Sequence, residues 1–466
     1  MKKIYLLPVA AIAIFLPLSN LLGLSGENEP IPALASSSQS FAVATKILQN
    51  KCVDCHSPGL TRMPIYAQLP IAKQLMASDI ANASARLILS KAVYSGEETL
   101  SPLMLARIEG AITSNSMPPH LYLSMHWEGS LTADEKLSLL KWIDEEREKS
   151  PLSQDSTKAL KAEPVQPLPL TVAVDPKKVA LGDQLFHDTS LSGDNTLSCA
   201  SCHGLTKGGT DQAKVATGIR GQQGPINTPT VYNASYNLAQ FWDGRAKDLQ
   251  TQAAGPVANP GEMGAQWDDV VKTLKQVPAY QSAFAELYPE QGLTKDTVTD
   301  AIAGFEQSLV TANSRFDQYL RGNDQSLNAN EKAGYALFKD NCASCHSGPT
   351  LGSLSYEKMG AKRDYFHRRG GPITEADLGR YNVTHDDNDR HVFKVPTLRN
   401  IELTFPYFHD GSVRELADAV RIMGKVQRNK DFKPEEVDNL VAFLKTLTGE
   451  YKGKSLVPIS VTERKQ

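Results

Sequence analysis

Six cysteines occur in the 466 residues, and each belongs to a Cys-x-x-Cys-His pentapeptide: Cys52, Cys55 and His56; Cys199, Cys202 and His203; Cys342, Cys345 and His346. In that pattern two thiols can form thioethers to the vinyl groups of a haem, and the adjacent imidazole can ligate the iron from the proximal side. The geometry needs all three residues. At this chain's own Cys and His frequencies a chance match has a probability on the order of 10⁻³. Three matches that use every cysteine leave none for a disulfide framework. Zinc would require paired ligand clusters and would not explain the histidine after each pair. Three covalently bound haem c groups are therefore expected.

What each haem does depends on the position opposite its histidine. A second strong ligand makes an electron carrier, whereas an open position allows chemistry. For the first motif, Met117 in NSMPPH is the best candidate, with His120, Met125 and His126 as nearby rivals. For the third, Met423 in RIMGK stands just before the last helical pattern, with Met359 as a less favoured alternative. Methionine ligation raises the potential and suits an electron acceptor or relay. The middle portion is different. No histidine lies between His203 and His346, and the only methionine there, Met263, directly follows Glu262 in GEMG. Either Met263 closes this iron or the site is open with a carboxylate close by, and spacing alone leaves both readings standing.

These groups need helices to hold them. The pentapeptides recur at near-equal intervals, which reads as repeated domains. A short helical pattern precedes each motif, with a small residue four before a large apolar one: Ala44 and Leu48, Gly182 and Phe186, Gly334 and Phe338. In the middle portion an insertion from Asp188 to Ser198 separates that helix from Cys199. Far downstream of each motif comes an amphipathic candidate: Leu131 to Arg147, Thr294 to Val310 and Lys433 to Thr448. The last begins with Pro434 followed by Glu435 and Glu436, as a helix N-terminus prefers. The expected fold is mainly α, with three cytochrome c-like haem domains in tandem after an N-terminal transmembrane helix. Its boundaries are 1–35 for anchor and linker, 36–150 for the first haem domain, 151–170 for a proline-rich linker, 171–325 for the middle haem domain and 326–466 for the last.

The anchor rests on Lys2 and Lys3 followed by an apolar run from Ile4 to Leu24. As a helix rising 1.5 Å per residue, that run spans a hydrocarbon core of about 30 Å. The best small-residue cleavage site, Ala33-Leu34-Ala35, lies well beyond the run, so an uncleaved inner-membrane anchor is the favoured reading. The alternative is a signal peptide removed near Ala35. Either way the charged N-terminus would stay cytoplasmic and the haem domains would face the periplasm. Hydrophobic residues make up 41% of the chain, charged residues 22%, and the net charge is -3. That composition excludes wholesale disorder and a strongly basic nucleic-acid surface.

The segments LGDQLFHDTSLS, CASCHGLTKGG, GPINTPTVYNASYNLAQFWDGRA, QAAGPVANPGEM, CASCHSG, VPTLRNIELTFPYFHDGSV and AVRIMG follow one another between about residues 164 and 450. In sequence and order they resemble the bacterial dihaem cytochrome c peroxidases. With the MPPHLYLSMHW stretch of the first portion, the chain is similar in particular to their three-haem, membrane-anchored branch, the quinol peroxidases. The resemblance implies a peroxidatic haem at His203 and a high-potential electron-transfer haem at His346 and Met423. Glu262 matches the family's distal acid-base carboxylate, Gln252 its partner amide, and Trp242 the tryptophan between the two haems. Asn227, Thr404 and Pro406 match calcium-binding positions. His409 matches a histidine held near the high-potential haem by propionate hydrogen bonding, while His187, His367, His385 and His391 read as surface or core residues. One departure stands out: the loop TGIRGQQGP carries Ile219 where many dihaem members have a histidine that caps the peroxidatic iron until reduction releases it.

The expected activity is reduction of hydrogen peroxide to water. Electrons would come from membrane quinol, or from a soluble cytochrome c, through the first and third haems. Two rivals remain. A non-catalytic three-haem relay would have all irons six-coordinate. A protein-modifying enzyme of the MauG type would carry tyrosine where this chain has Met423.

Overall fold

The computed structural model describes residues 31, 38–60, 67, 69–124 and 126–457. The apolar run from Ile4 to Leu24, the Ala33-Leu34-Ala35 site and Met125 lie outside them. Among the described residues no helix is long and apolar enough to cross a membrane. The described residues form two compact units, those up to 150 with 162–164, and 151–161 with those from 165 on.

Each haem motif is framed by two crossing helices. In the first unit these are α1 (Gln39–Lys51) and α2 (Ala133–Glu148). The Ser38 side chain caps α1, and α2 opens on a capping box in which Thr132 and Glu135 satisfy each other's backbone N–H groups. Ala44, Leu48, Trp142 and Ile143 lie in the core between them. In the second unit α3 (Pro176–Phe186) crosses α5 (Lys295–Gln307), after α4 (Leu249–Ala258) has packed on α5. Further on, α6 (Ala329–Asn341) crosses α8 (Pro434–Lys445), with α7 (Leu416–Arg428) alongside α8. Cys52 and Cys342 terminate α1 and α6 directly. After α3 the inserted stretch intervenes, and Cys199 opens a separate helical turn, Cys199–Cys202.

The small-to-large spacing has a steric cause. A Cβ on Gly182 would stand 2.0 Å from the Ala301 carbonyl oxygen, and one on Gly334 would stand 1.9 Å from that of Asn439. Both crossings bring backbone against backbone, which leaves no room for a methyl group. Where the first unit has Ala44 instead, the methyl is accommodated and fully buried. Gly182→Ala and Gly334→Ala are each expected to destabilise the second unit by about 1–3 kcal/mol through overpacking. Chemical denaturation followed by far-ultraviolet circular dichroism checks this, and an unchanged midpoint in both variants would refute it.

Packing bears on two of the expected boundaries. The stretch 151–170 is not a free linker, because Val165, Gln166 and Leu168 are buried, and Val165 joins Phe316, Phe338 and Phe443 in one apolar core. Its prolines suit that role, since proline brings no N–H that burial would leave unpaired. The portions 171–325 and 326–466 pack together in one compact unit. One tie is the fully buried ion pair of Arg399 and Asp317, 2.8 Å apart. Arg399 also donates to the carbonyls of Pro349 and Gln166. Strands are few and short. β1 (Tyr356–Lys358) pairs antiparallel with β2 (Val392–Lys394), Tyr356 opposite Lys394, and a second two-stranded ribbon lies near residue 450.

Candidate active site and haem motifs

The three proximal histidines share one arrangement. Nδ1 lies 2.9 Å from the Leu87 carbonyl oxygen for His56, 3.3 Å from Gly209 for His203 and 3.0 Å from Leu351 for His346. A ring nitrogen facing a carbonyl carries the proton, which leaves Nε2 bare to bind a metal. Burial lowers the proton affinity of all three imidazoles, His346 to about 4, so each is neutral as iron requires. None of the six cysteines forms a disulfide. The donor set therefore fits covalent haem at each motif.

Glu262 sits in a turn at the end of α4, which carries Gln252. The turn NPGE is built by Asn259: its Oδ1 accepts from the Gly261 N–H at 2.9 Å, its carbonyl from the Glu262 N–H, and its Nδ2 donates to Glu262 Oε1 at 2.7 Å. The Ile219 N–H donates to the Glu262 carbonyl at 2.7 Å, and the Gly193 N–H to that of Met263 at 2.7 Å. A Cβ on Gly218 would overlap the Gly261 carbonyl oxygen, so the loop carrying Ile219 lies directly on the turn. Burial raises the proton affinity of the Glu262 carboxyl, against smaller opposing effects of Arg245 and the Asn259 hydrogen bond. Burial and then the charges of Asp211 and Glu262 push the Cys202 thiol up to about 11, which places Glu262 within electrostatic reach of the motif. Met263 points the other way, into the apolar core with Leu185, Val257 and Phe305. The half-buried Gln252 amide makes no hydrogen bond among the described residues.

Trp242 joins residues of the middle and last portions. Its indole N–H donates to the Asn227 carbonyl at 2.9 Å, its own carbonyl accepts from the Lys394 N–H at 2.8 Å, and its ring meets Phe393 edge-on in the apolar cluster against which Met359 and Met423 also pack. Both methionines weighed for the third iron thus lie in one cluster. His409 is 2% exposed, stacks on Phe393 and donates from Nε2 to Asp377 Oδ1 at 2.9 Å. Burial lowers the proton affinity of its ring, against the opposing effect of the bond to Asp377. Asn227 is buried, donates from Nδ2 to the Ala213 carbonyl and from its backbone to the His409 carbonyl, which sets it against the loop holding Thr404 and Pro406.

In the first unit Met117 is 43% exposed. His126 stacks on Tyr122 at 4.1 Å between ring centres, and the Tyr122 hydroxyl donates to Asp54 inside the first motif. Of the remaining histidines, His187 and His385 are exposed, and His391 bonds the Asp377 carbonyl.

Several site residues escaped the sequence reading. Asn259 had a signal in the turn-forming NPG triplet. Arg245, whose guanidinium lies 3.6 Å over the Phe241 ring, and Asp377, which holds His409 from 32 positions away, had none. Nor had Glu306, whose carboxyl burial pushes up to about 8 while Oε2 stays unpartnered.

The sequence profile of the di-haem cytochrome c peroxidases matches residues 176–325, that of a haem-binding domain residues 18–145, and that of cytochrome c residues 331–448. Each match contains one motif. Cytochrome c peroxidase Ccp of Escherichia coli is 44% identical over 418 residues, 89% of each chain. The chain belongs to the dihaem cytochrome c peroxidase family. It is an oxidoreductase acting on hydrogen peroxide and carries haem c. Cytochrome c551 peroxidase of Nitrosomonas europaea is 48% identical over 62% of this chain and 85% of its own. An alignment of 418 residues, unlike that shorter one, necessarily takes in most of the peroxidase's first unit. Among solved structures, a MauG-like protein associated with microbial copper homeostasis superposes with a TM-score of 0.54 at 29% identity, over 61% of this chain and 93% of that one.

Proposed function

We propose that the chain is a three-haem, periplasm-facing peroxidase of the quinol peroxidase branch, held at the inner membrane by Ile4 to Leu24 and supplied by membrane quinol. Soluble cytochrome c is the alternative donor. The observation that carries the peroxidatic assignment is Glu262, a half-buried carboxyl with raised proton affinity in electrostatic reach of Cys202. The loop lying on the Glu262 turn carries the buried Ile219 at the position that the resemblance gives to the capping histidine of other members.

Haem bound through Cys199, Cys202 and His203 would supply the iron that takes up peroxide and the electrons that cleave its O–O bond. Glu262 accepts the proton of one peroxide oxygen and returns it to the departing oxygen. Asn259 holds Oε1, which leaves Oε2 to face the substrate. Gln252, with its amide uncommitted, orients peroxide and stabilises developing charge. Two electrons and two protons complete the conversion of one peroxide to two waters. Electrons would enter at the motif of the first unit, pass to the haem held by His346 and Met423, and cross by way of Trp242. Asn227, Thr404 and Pro406 would hold calcium, an ion that favours such oxygen donors.

Electron paramagnetic resonance of the fully oxidised protein tests this reading. A high-spin haem consumed by one equivalent of peroxide, without prior reduction, is expected. Three low-spin haems unaffected by peroxide, and still so after partial reduction, would leave an electron relay. Turnover with a reduced quinol against turnover with reduced cytochrome c separates the donors.

A further inference from the structure

Lys394 ends β2 and is 7% exposed, yet no carboxylate of the described residues lies within ion-pair distance of its ammonium. Burial alone acts on it, pushing its proton affinity down to about 8. Buried and half-buried arginines elsewhere in the second unit are neutralised. Arg369 pairs with Asp377 and Asp410, Arg380 with Asp389, and Arg399 with Asp317. A buried cation without a counter-charge is costly, so its surroundings in the loaded protein should provide an anion.

The backbone says where that anion belongs. The Lys394 N–H donates to the Trp242 carbonyl. Two residues on, the Pro396 carbonyl oxygen fills the space beside Gly352, where a Cβ would stand 2.1 Å from it and 3.4 Å from His346 Nδ1. The segment 394–396 therefore runs from Trp242 to the proximal histidine of the third motif. A haem there brings two propionates. His409, the residue the family resemblance assigns to them, directs its Nε2 to Asp377.

We propose that Lys394 is the counter-ion of a propionate of the haem bound at His346, on the side facing Trp242, and that its charge raises that haem's reduction potential. The inference rests on haem being attached at Cys342 and Cys345. A cation near the iron favours the reduced state, which carries one positive charge fewer.

The test is a spectroelectrochemical titration of the full, haem-loaded chain, with haem counted by mass and by pyridine haemochrome. Lys394→Met is expected to lower one wave only, while Lys394→Arg keeps that wave near its wild-type position. Lys445→Met, the same charge change at an exposed site on α8, moves none. If Lys394→Met loses haem, Lys394→Gln gives the same reading. Full haem content with no wave shifted, or an arginine variant shifted as far as the methionine one, overturns the proposal. Absence of haem from the Cys342 and Cys345 peptide in the wild type would instead overturn the assignment beneath it.

Discussion

Glu262→Gln is expected to lower peroxide turnover by a factor on the order of 10²–10⁴, the usual contribution of a positioned acid-base group. Haem content and the oxidised spectrum should not change. Glutamine keeps the size of the side chain and can still meet Asn259, but it cannot take a proton. The pH profile separates this role from a structural one. Glu262 acts as a base only when ionised, and burial raises the pH at which it ionises. In the wild type, kcat/KM should therefore fall as pH drops through a value above the ordinary glutamate range. That acidic limb should vanish in the variant. A variant with turnover within a few-fold of wild type, or with the limb intact, would remove Glu262 from the mechanism.

The second large effect concerns stability. Arg399 and Asp317 are both fully buried, and Asp317 further accepts the backbone N–H groups of Leu168 and Ser314. Arg399→Met would leave a buried carboxylate with no opposing charge, which costs about 3–5 kcal/mol. Guanidinium unfolding should show a much lower midpoint for the second unit. A loss below about 1 kcal/mol would mean that the pair is solvated or replaceable, contrary to its burial.

The cysteine motifs were legible because their chemistry is local: adjacent residues in a short turn suffice, whereas Glu262 was singled out by the resemblance of QAAGPVANPGEM and not by spacing. The three helix pairs were legible for a different reason. Gly182 and Gly334 sit at crossings where only a missing side chain allows the contact, so packing leaves a trace in composition. The stretch 151–170 misled because four prolines among polar residues look like a tether. The apolar Val165 that anchors it finds its partners, Phe316, Phe338 and Phe443, only in the folded chain.

The path of the chain between its two units bears on how the protein could be dissected. Residues 151–161 belong to the second unit, 162–164 return to the first, where the Ala162 carbonyl accepts from Arg147, and 165 onward belong to the second again. No single protease cut can release both units intact. A cut after Ser150 strips the first of its returning strap, and a cut after Pro164 strips the second of residues 151–161. Loss or gain of the first unit in the course of descent would have met the same obstacle, and would have needed the junction remade rather than merely severed.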